Sequence, residues 1–183
     1  MPEGSKLRLR GDVWRTAAGL VLFSAVFLFV GWSIFWYVAH RAALAEMQSW
    51  LDWEARQGRL WKCETLQSGG YPTAIEIDCD RPSLRATVEG RALQANVVRA
   101  FIRAPLYTPK LVVIDLTGPA VLSTADGASS AAAKWGALQI SSRGLPDRLD
   151  RLSLVGEGVE IESRVNGQAA TTIKAAALQA HLR

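Results

Sequence analysis

The chain has 183 residues, enough for one ordinary domain plus an accessory segment. Its two cysteines have no histidine near them, which excludes the four-ligand set of a structural zinc site. The net charge of +4 is spread out: 17 Lys+Arg face 15 Asp+Glu from His40 onward, so no stretch is basic enough to track nucleic-acid phosphates.

Residues 1–15 form a basic tail carrying Lys6, Arg8, Arg10 and Arg15. Residues 16–39 carry no charge and are rich in Leu, Val, Phe and Ala. As a helix this run is roughly 36 Å long, more than the ~30 Å hydrocarbon core it would have to cross. Trp14 at one end and Trp32, Trp36 and Tyr37 at the other suit the two interfaces. The run exceeds the ~7–15 apolar residues of a signal-peptide core, and YVAHRAA offers no small-x-small cleavage site. An uncleaved transmembrane anchor is therefore expected. The basic flank predicts a cytoplasmic N-terminus, with everything after His40 on the far side.

HRAALAEMQSWLDWEARQG predicts a helix over residues 40–58. Leu44, Met47, Trp50, Leu51 and Glu54 fall at helical spacing, and Gly58 suits the position that ends a helix. The stripe is too short for a heptad argument and reads as a packing face for the following sheet rather than a dimer seam.

From residue 60 to 183 the period becomes two. Leu84, Ala86 and Val88 alternate with polar residues, as do Leu93, Ala95 and Val97, Leu152 and Leu154, and Val159 and Ile161. KLVVIDL is apolar on both faces and does not say which one turns inward. SGGYP, RPS, EGR, TPK, TGP, ADGASS, RGLPD, GEG and NGQ punctuate the runs, and Asn166-Gly167 is a strong hairpin signal. The fold class is mainly β, an antiparallel meander of about eight strands. Helix 40–58 alone is too little cover for that many strands. The sheet must curl, fold into two layers or leave an apolar groove. Val88, Val97, Val113 and Ile161 are the ligand-facing candidates. LQAHLR reads as one more strand, either cut short or an exposed edge that invites a partner.

No catalytic, metal or cofactor site is expected. His40 and His181 are far apart, and no GxSxG, HExxH, P-loop or G-x-G-x-x-G occurs. Asp78 and Asp80, and Glu157, Glu160 and Glu162, lack the glycine-turned loop of a calcium site and read as solvated strand positions. A non-enzymatic protein follows. WKCETLQSGGYPTAIEIDC reads as a hairpin, and a turn centred on Tyr71 sets Cys63 opposite Cys79. This register favours a disulfide over two buried thiols or a reactive pair.

GRLWKCETLQSGGYPTAIEIDC after a single span, LYTPKLVVIDLTGPAVLS and WGALQISSRGLPDRLDRLSL together resemble an uncharacterised alphaproteobacterial domain-of-unknown-function family (DUF, number twenty-one twenty-five), although Thr73 stands where an aromatic residue is expected. The resemblance implies a longer protein of which this chain covers the N-terminal half. That family is in turn loosely similar to the AsmA and TamB envelope proteins, anchored by one helix and built as a curled β-sheet with an apolar trough. The implied localisation is the bacterial inner membrane, with a periplasmic domain. The implied role is envelope maintenance or lipid handling, with membrane, lipid and another envelope protein at the C-terminal edge strand as partners. The alternative is an anchored structural or interaction module with a closed β core.

Overall fold

The computed structural model describes residues 5–88, 90–108, 110–144, 150–165 and 170–182, with side chains from Thr16 onward. The Asn166-Gly167 turn, residues 145–147 of RGLPD and Arg183 lie outside these residues, as do the side chains of Lys6, Arg8, Arg10, Trp14 and Arg15.

Tail, apolar run and following helix form one helix, α1 (Ser5–Arg56). It stops where expected. Gly58 takes the left-handed conformation (φ 79°), and the Gln57 and Gly58 amides donate to the carbonyls of Trp53, Glu54 and Ala55. The chain divides into two compact units, Met1–Ala42 and Ala43–Arg183. In the first, the uncharged stretch of α1 is apolar all round: Leu22, Phe23, Phe27 and Leu28 all stand exposed. The Ser33 hydroxyl is satisfied within the helix, donating to the Phe29 carbonyl at 2.8 Å. From Thr16 the helix is long and apolar enough to cross a membrane, a property shared by membrane anchors and signal sequences.

Among its described residues the second unit adds ten strands rather than about eight. They are β1 (Arg59–Lys62), β2 (Thr65–Gly69), β3 (Ala74–Asp80), β4 (Ser83–Val88), β5 (Arg91–Pro105), β6 (Leu111–Thr124), β7 (Ser129–Lys134), β8 (Ala137–Arg143), β9 (Arg151–Val165) and β10 (Thr171–Leu182). Every pairing is antiparallel. Three rungs of the sheet are broken in two, since β1 and β2 together pair with β4 and β3, and β7 and β8 share the place between β6 and β9. Counted by rung, each element lies beside its neighbour in sequence, which is the predicted meander.

The breaks line up across the sheet. Cys63 and Glu64 separate β1 from β2, and Arg81 (φ 47°) and Pro82 separate β3 from β4. The register between β5 and β6 shifts between Val97 and Arg99, beside Gly118 and Pro119. Trp135 and Gly136 separate β7 from β8, and Gly158 (φ 60°) faces Ala176, which is skipped in the β9–β10 ladder. Proline has no N–H to give a ladder, so Pro82 and Pro119 suit such positions. Hydrogen bonds still cross between rungs there: Arg81 N to Val98 O at 2.9 Å, Val97 N to Pro82 O at 3.0 Å and Gly136 N to Glu157 O at 2.9 Å. Trp135 seals the middle of this seam. Its Nε1 donates to the Leu116 carbonyl at 2.7 Å, and its ring lies where a Cβ on Gly118 would meet Cε2 at 3.0 Å.

Cys63 and Cys79 are joined in a disulfide with Cα atoms 5.5 Å apart. Their expected register is wrong by three residues, because Cys79 pairs with Leu66. The turn lies later than Tyr71: the Gly70 carbonyl accepts from both Thr73 N and Ala74 N, so β3 starts only at Ala74. Cys63 reaches Cys79 from the seam, where Glu64 N donates to Asp80 O beside the Thr65–Asp80 pair. The buried hydrophobic residues, Ala74, Ile75, Ile77 and Cys79, all lie on β3. Replacing both cysteines by serine should lower stability by about 3 kcal/mol, the loop-closure value for a bridge of this span, seen as a lower urea midpoint. An unchanged midpoint would mean that the bridge constrains nothing.

Candidate ligand-binding face

Strand residues alternate between two faces, and directly paired residues share one. On one side of the seam, Ile77 pairs with Ile102, Ile102 with Ile114, Ile114 with Ile140 and Ile140 with Leu154. A row of large aliphatic residues therefore crosses five adjacent rungs. Parallel rows hold Ala100, Leu116 and Leu138, and Val112, Ser142 and Leu152. On the other side of the seam, Leu84, Ala95, Leu122 and Ala131 form one row, and Val97, Ala120, Ala133, Ile161 and Ile173 another.

Both sets belong to one face. A Cβ on Gly156 would lie 3.2 Å from Leu138 Cδ1 and 3.2 Å from Val159 Cγ2, which puts residues 156 and 159 on the same side despite their odd spacing. The strand changes phase at Gly158. The face carries mostly large aliphatic residues on the Ile114 side, and on the Leu122 side mixes Leu84, Val97, Leu122, Ile161 and Ile173 with alanine, serine and threonine. Val88, Leu122, Val165 and Ile173 on it are exposed.

Of the four sequence candidates, Val88, Val97 and Ile161 lie on this face together. Val113 does not: it pairs with Arg103 and lies on the opposite, polar face. Ile102, Ile114, Ile140 and Leu154 were missed. Asp115 and Thr117 carried the signal, because their polarity assigns odd-numbered residues of KLVVIDLT to the polar face.

The polar face is laced with ion pairs. Asp78 receives a forked pair from Arg99, Glu76 pairs with Arg103 at 2.9 Å and Glu160 with Lys174 at 2.9 Å. The Arg99 guanidinium holds the Asp78 carboxyl below the usual range, and the Lys174 ammonium does the same for Glu160. Gln139 donates to Asp115 at 2.7 Å, and His181 Nδ1 lies 3.0 Å from the Ser153 hydroxyl. A surface depression of about 200 Å³ is lined by Gln67, Ser68, Gly69, Glu76, Asp78 and Phe101. Both its carboxylates are engaged by arginine.

The end of α1 is clasped to β1. Leu44, Met47 and Leu51 are half-buried and Glu54 is buried, which is the predicted stripe, while Trp50 stands 46% exposed with its ring 5.8 Å from Trp61. Glu54 takes two bonds from Arg59, Nε at 2.7 Å and a second nitrogen at 2.6 Å, and a third from Trp61 Nε1 at 3.1 Å. Arg59 also lies over Trp53, 5.4 Å from its ring centre. Arg59, then Trp61, hold the Glu54 carboxyl down at about 2.

These features define a class: an antiparallel β-meander protein with an apolar sheet face that is exposed at Val88, Leu122, Val165 and Ile173, and with one N-terminal helix long and apolar enough to cross a membrane. Residues 36–183 match the family described as "Uncharacterized protein conserved in bacteria (DUF2125)", and the chain belongs to it. No curated protein and no solved structure gives a significant match.

A carboxyl that titrates at about 2 when folded and at 4.5 when free contributes stability that is complete above pH 4.5 and fades as the pH falls toward 2. Glu54→Gln should therefore lower the denaturation midpoint at pH 7 and narrow its gap to the unaltered protein by pH 2.5. A gap independent of pH would show that the clasp works by packing alone.

Proposed function

We propose that the chain is a non-enzymatic, single-pass inner-membrane protein whose β unit lies in the periplasm and handles lipid in envelope maintenance. The observation that carries this reading is the apolar face, which runs from β3 to β10 while Val88, Leu122, Ile161, Val165 and Ile173 on it stay exposed. Soluble monomers rarely leave so extended an apolar surface to water. The disulfide favours an oxidising compartment, and the uncharged stretch of α1 behind a basic flank favours an anchor with its N-terminus in the cytoplasm. The mechanism is passive. Aliphatic side chains replace water around acyl chains, at about 25 cal/mol per Å² buried. The looser likeness to AsmA and TamB proteins belongs to this proposal, supported by the combination of one N-terminal helix with an uncovered antiparallel sheet.

The alternative, an anchored interaction module with a closed β core, has less support, since the buried hydrophobic residues among those described are confined to β3. The full chain purified in mild detergent should carry phospholipid detectable by mass spectrometry. Leu122→Asp and Ile161→Asp should each reduce it several-fold, while Val113→Asp, on the polar face, should not. Equal lipid content in all three variants would sink the reading.

A further inference from the structure

We infer that Arg143 and Arg151 form a binding site for a phosphate group on the polar face of the sheet. The two are directly opposed across the β8–β9 ladder, on its last rung before the loop that joins these strands. Their face follows from their neighbours. Arg143 lies four positions from Gln139, which donates to Asp115 on the polar face, and Arg151 lies four from Val155, the ladder partner of Gln139. Backbone bonds fix this end of the ladder: Asp150 N donates to the Arg143 carbonyl at 2.8 Å, and Gly144 N to the Lys110 carbonyl at 2.9 Å.

Like charges directly opposed across a ladder repel and destabilise the sheet unless an anion lies between them. Elsewhere on this side of the seam the polar face avoids the problem. Arg99 is met by Asp78 and Asp80, and Arg103 by Glu76. Arg143 and Arg151 are both exposed, and among the described residues neither makes an ion pair. Leu111, the β6 neighbour of Arg143, supplies no counter-charge.

The donors identify the ligand. Two residues inward on the same face Ser141 opposes Ser153, whose hydroxyl lies 3.0 Å from His181 Nδ1. Opposed Cβ atoms are ~4.5–5.5 Å apart and the next pair on a face is ~7 Å along the strand, both within the reach of an arginine side chain. The site therefore offers two planar forks of N–H donors with two hydroxyls beside them. A carboxylate has two oxygens and is used up by one fork, as Asp78 is by Arg99. A phosphate group, with its tetrahedral oxygens and full negative charge, takes both forks at once. A free phosphate and a lipid headgroup share this chemistry. The site lies on the face opposite the aliphatic rows and does not depend on what occupies them.

Calorimetric titration of the full chain in an uncharged detergent tests the site, with inorganic phosphate in one arm and dihexanoyl phosphatidic acid in the other. Chloride of equal ionic strength is the blank. Binding of inorganic phosphate would identify the free ion as a ligand, and binding of the phosphatidic acid alone a lipid headgroup; either supports the site. Arg143→Ser and Arg151→Ser should each weaken the binding about tenfold, the loss expected for one charged fork. Arg85→Ser, on the polar face beyond the seam, should leave it unchanged. In phosphate-free buffer the urea midpoints of both site variants should equal or exceed that of the unaltered chain, because each removes one of two opposed like charges. No binding in either arm, or equal binding by the site variants, would overturn the inference. So would midpoints lowered in phosphate-free buffer, which would show that the arginines already have a partner within the chain.

Discussion

An antiparallel sheet with one apolar face can interrupt its strands only where all of them are interrupted together. A single residue added to one strand sends every later side chain to the other face. Here β1/β2, β3/β4, β5, β7/β8, β9 and β10 all change phase along one transverse line. β6 keeps its phase, and the difference is absorbed beside it: its register shifts between Val97 and Arg99 on one side, and between its partners β7 and β8 on the other. The left-handed conformations at Arg81 and Gly158, the prolines at 82 and 119, and the Trp135 indole on Gly118 all lie on this line. They are local solutions to one constraint, that the ladder continue while the apolar residues stay on one side.

The second organising feature is where the described residues place their largest side chains relative to that face. Six of the seven tryptophans lie on α1 or the strand that follows it, and only Trp135 lies within the remaining sheet. Three of them, Trp50, Trp53 and Trp61, are gathered where the helix ends. There the buried Glu54 carboxylate is compensated by Arg59 and Trp61, since a charge in that position is tolerable only when paired and hydrogen-bonded. The clasp fixes the first rung and leaves the later ones to be held by hydrogen bonds, surface ion pairs and the disulfide.

Much of this was legible in the sequence. The alternations at Leu84–Val88 and Leu93–Val97, the helix stop at Gly58, the stripe ending in Glu54 and the cysteine partnership were all readable, because each depends on neighbours within a few residues. The register of the first hairpin was not. It depends on which amides the Gly70 carbonyl accepts, and SGGYP allows more than one answer. The side of Val113 was left open by KLVVIDL, which is apolar on both faces, and its pairing with Arg103 puts it on the polar one. The seam itself could not be seen from any one strand, because it exists only as the alignment of breaks across rungs far apart in sequence.

The apolar face is also graded, and the gradient bears on what could lie against it. Beneath Ile77, Ile102, Ile114, Ile140 and Leu154 the face is already filled to the height of branched side chains. Across the seam the positions Ala95, Ala120, Ala131 and Ala133 leave the backbone close to the surface. A slender, flexible apolar group gains most where small residues let it approach the sheet and larger ones flank it. Leu93, Leu122 and Ile161 provide such flanks around the alanine floor. The bulk on this face is thus uneven, with branched residues side by side around Ile114 and alanines interspersed among larger residues beyond the seam.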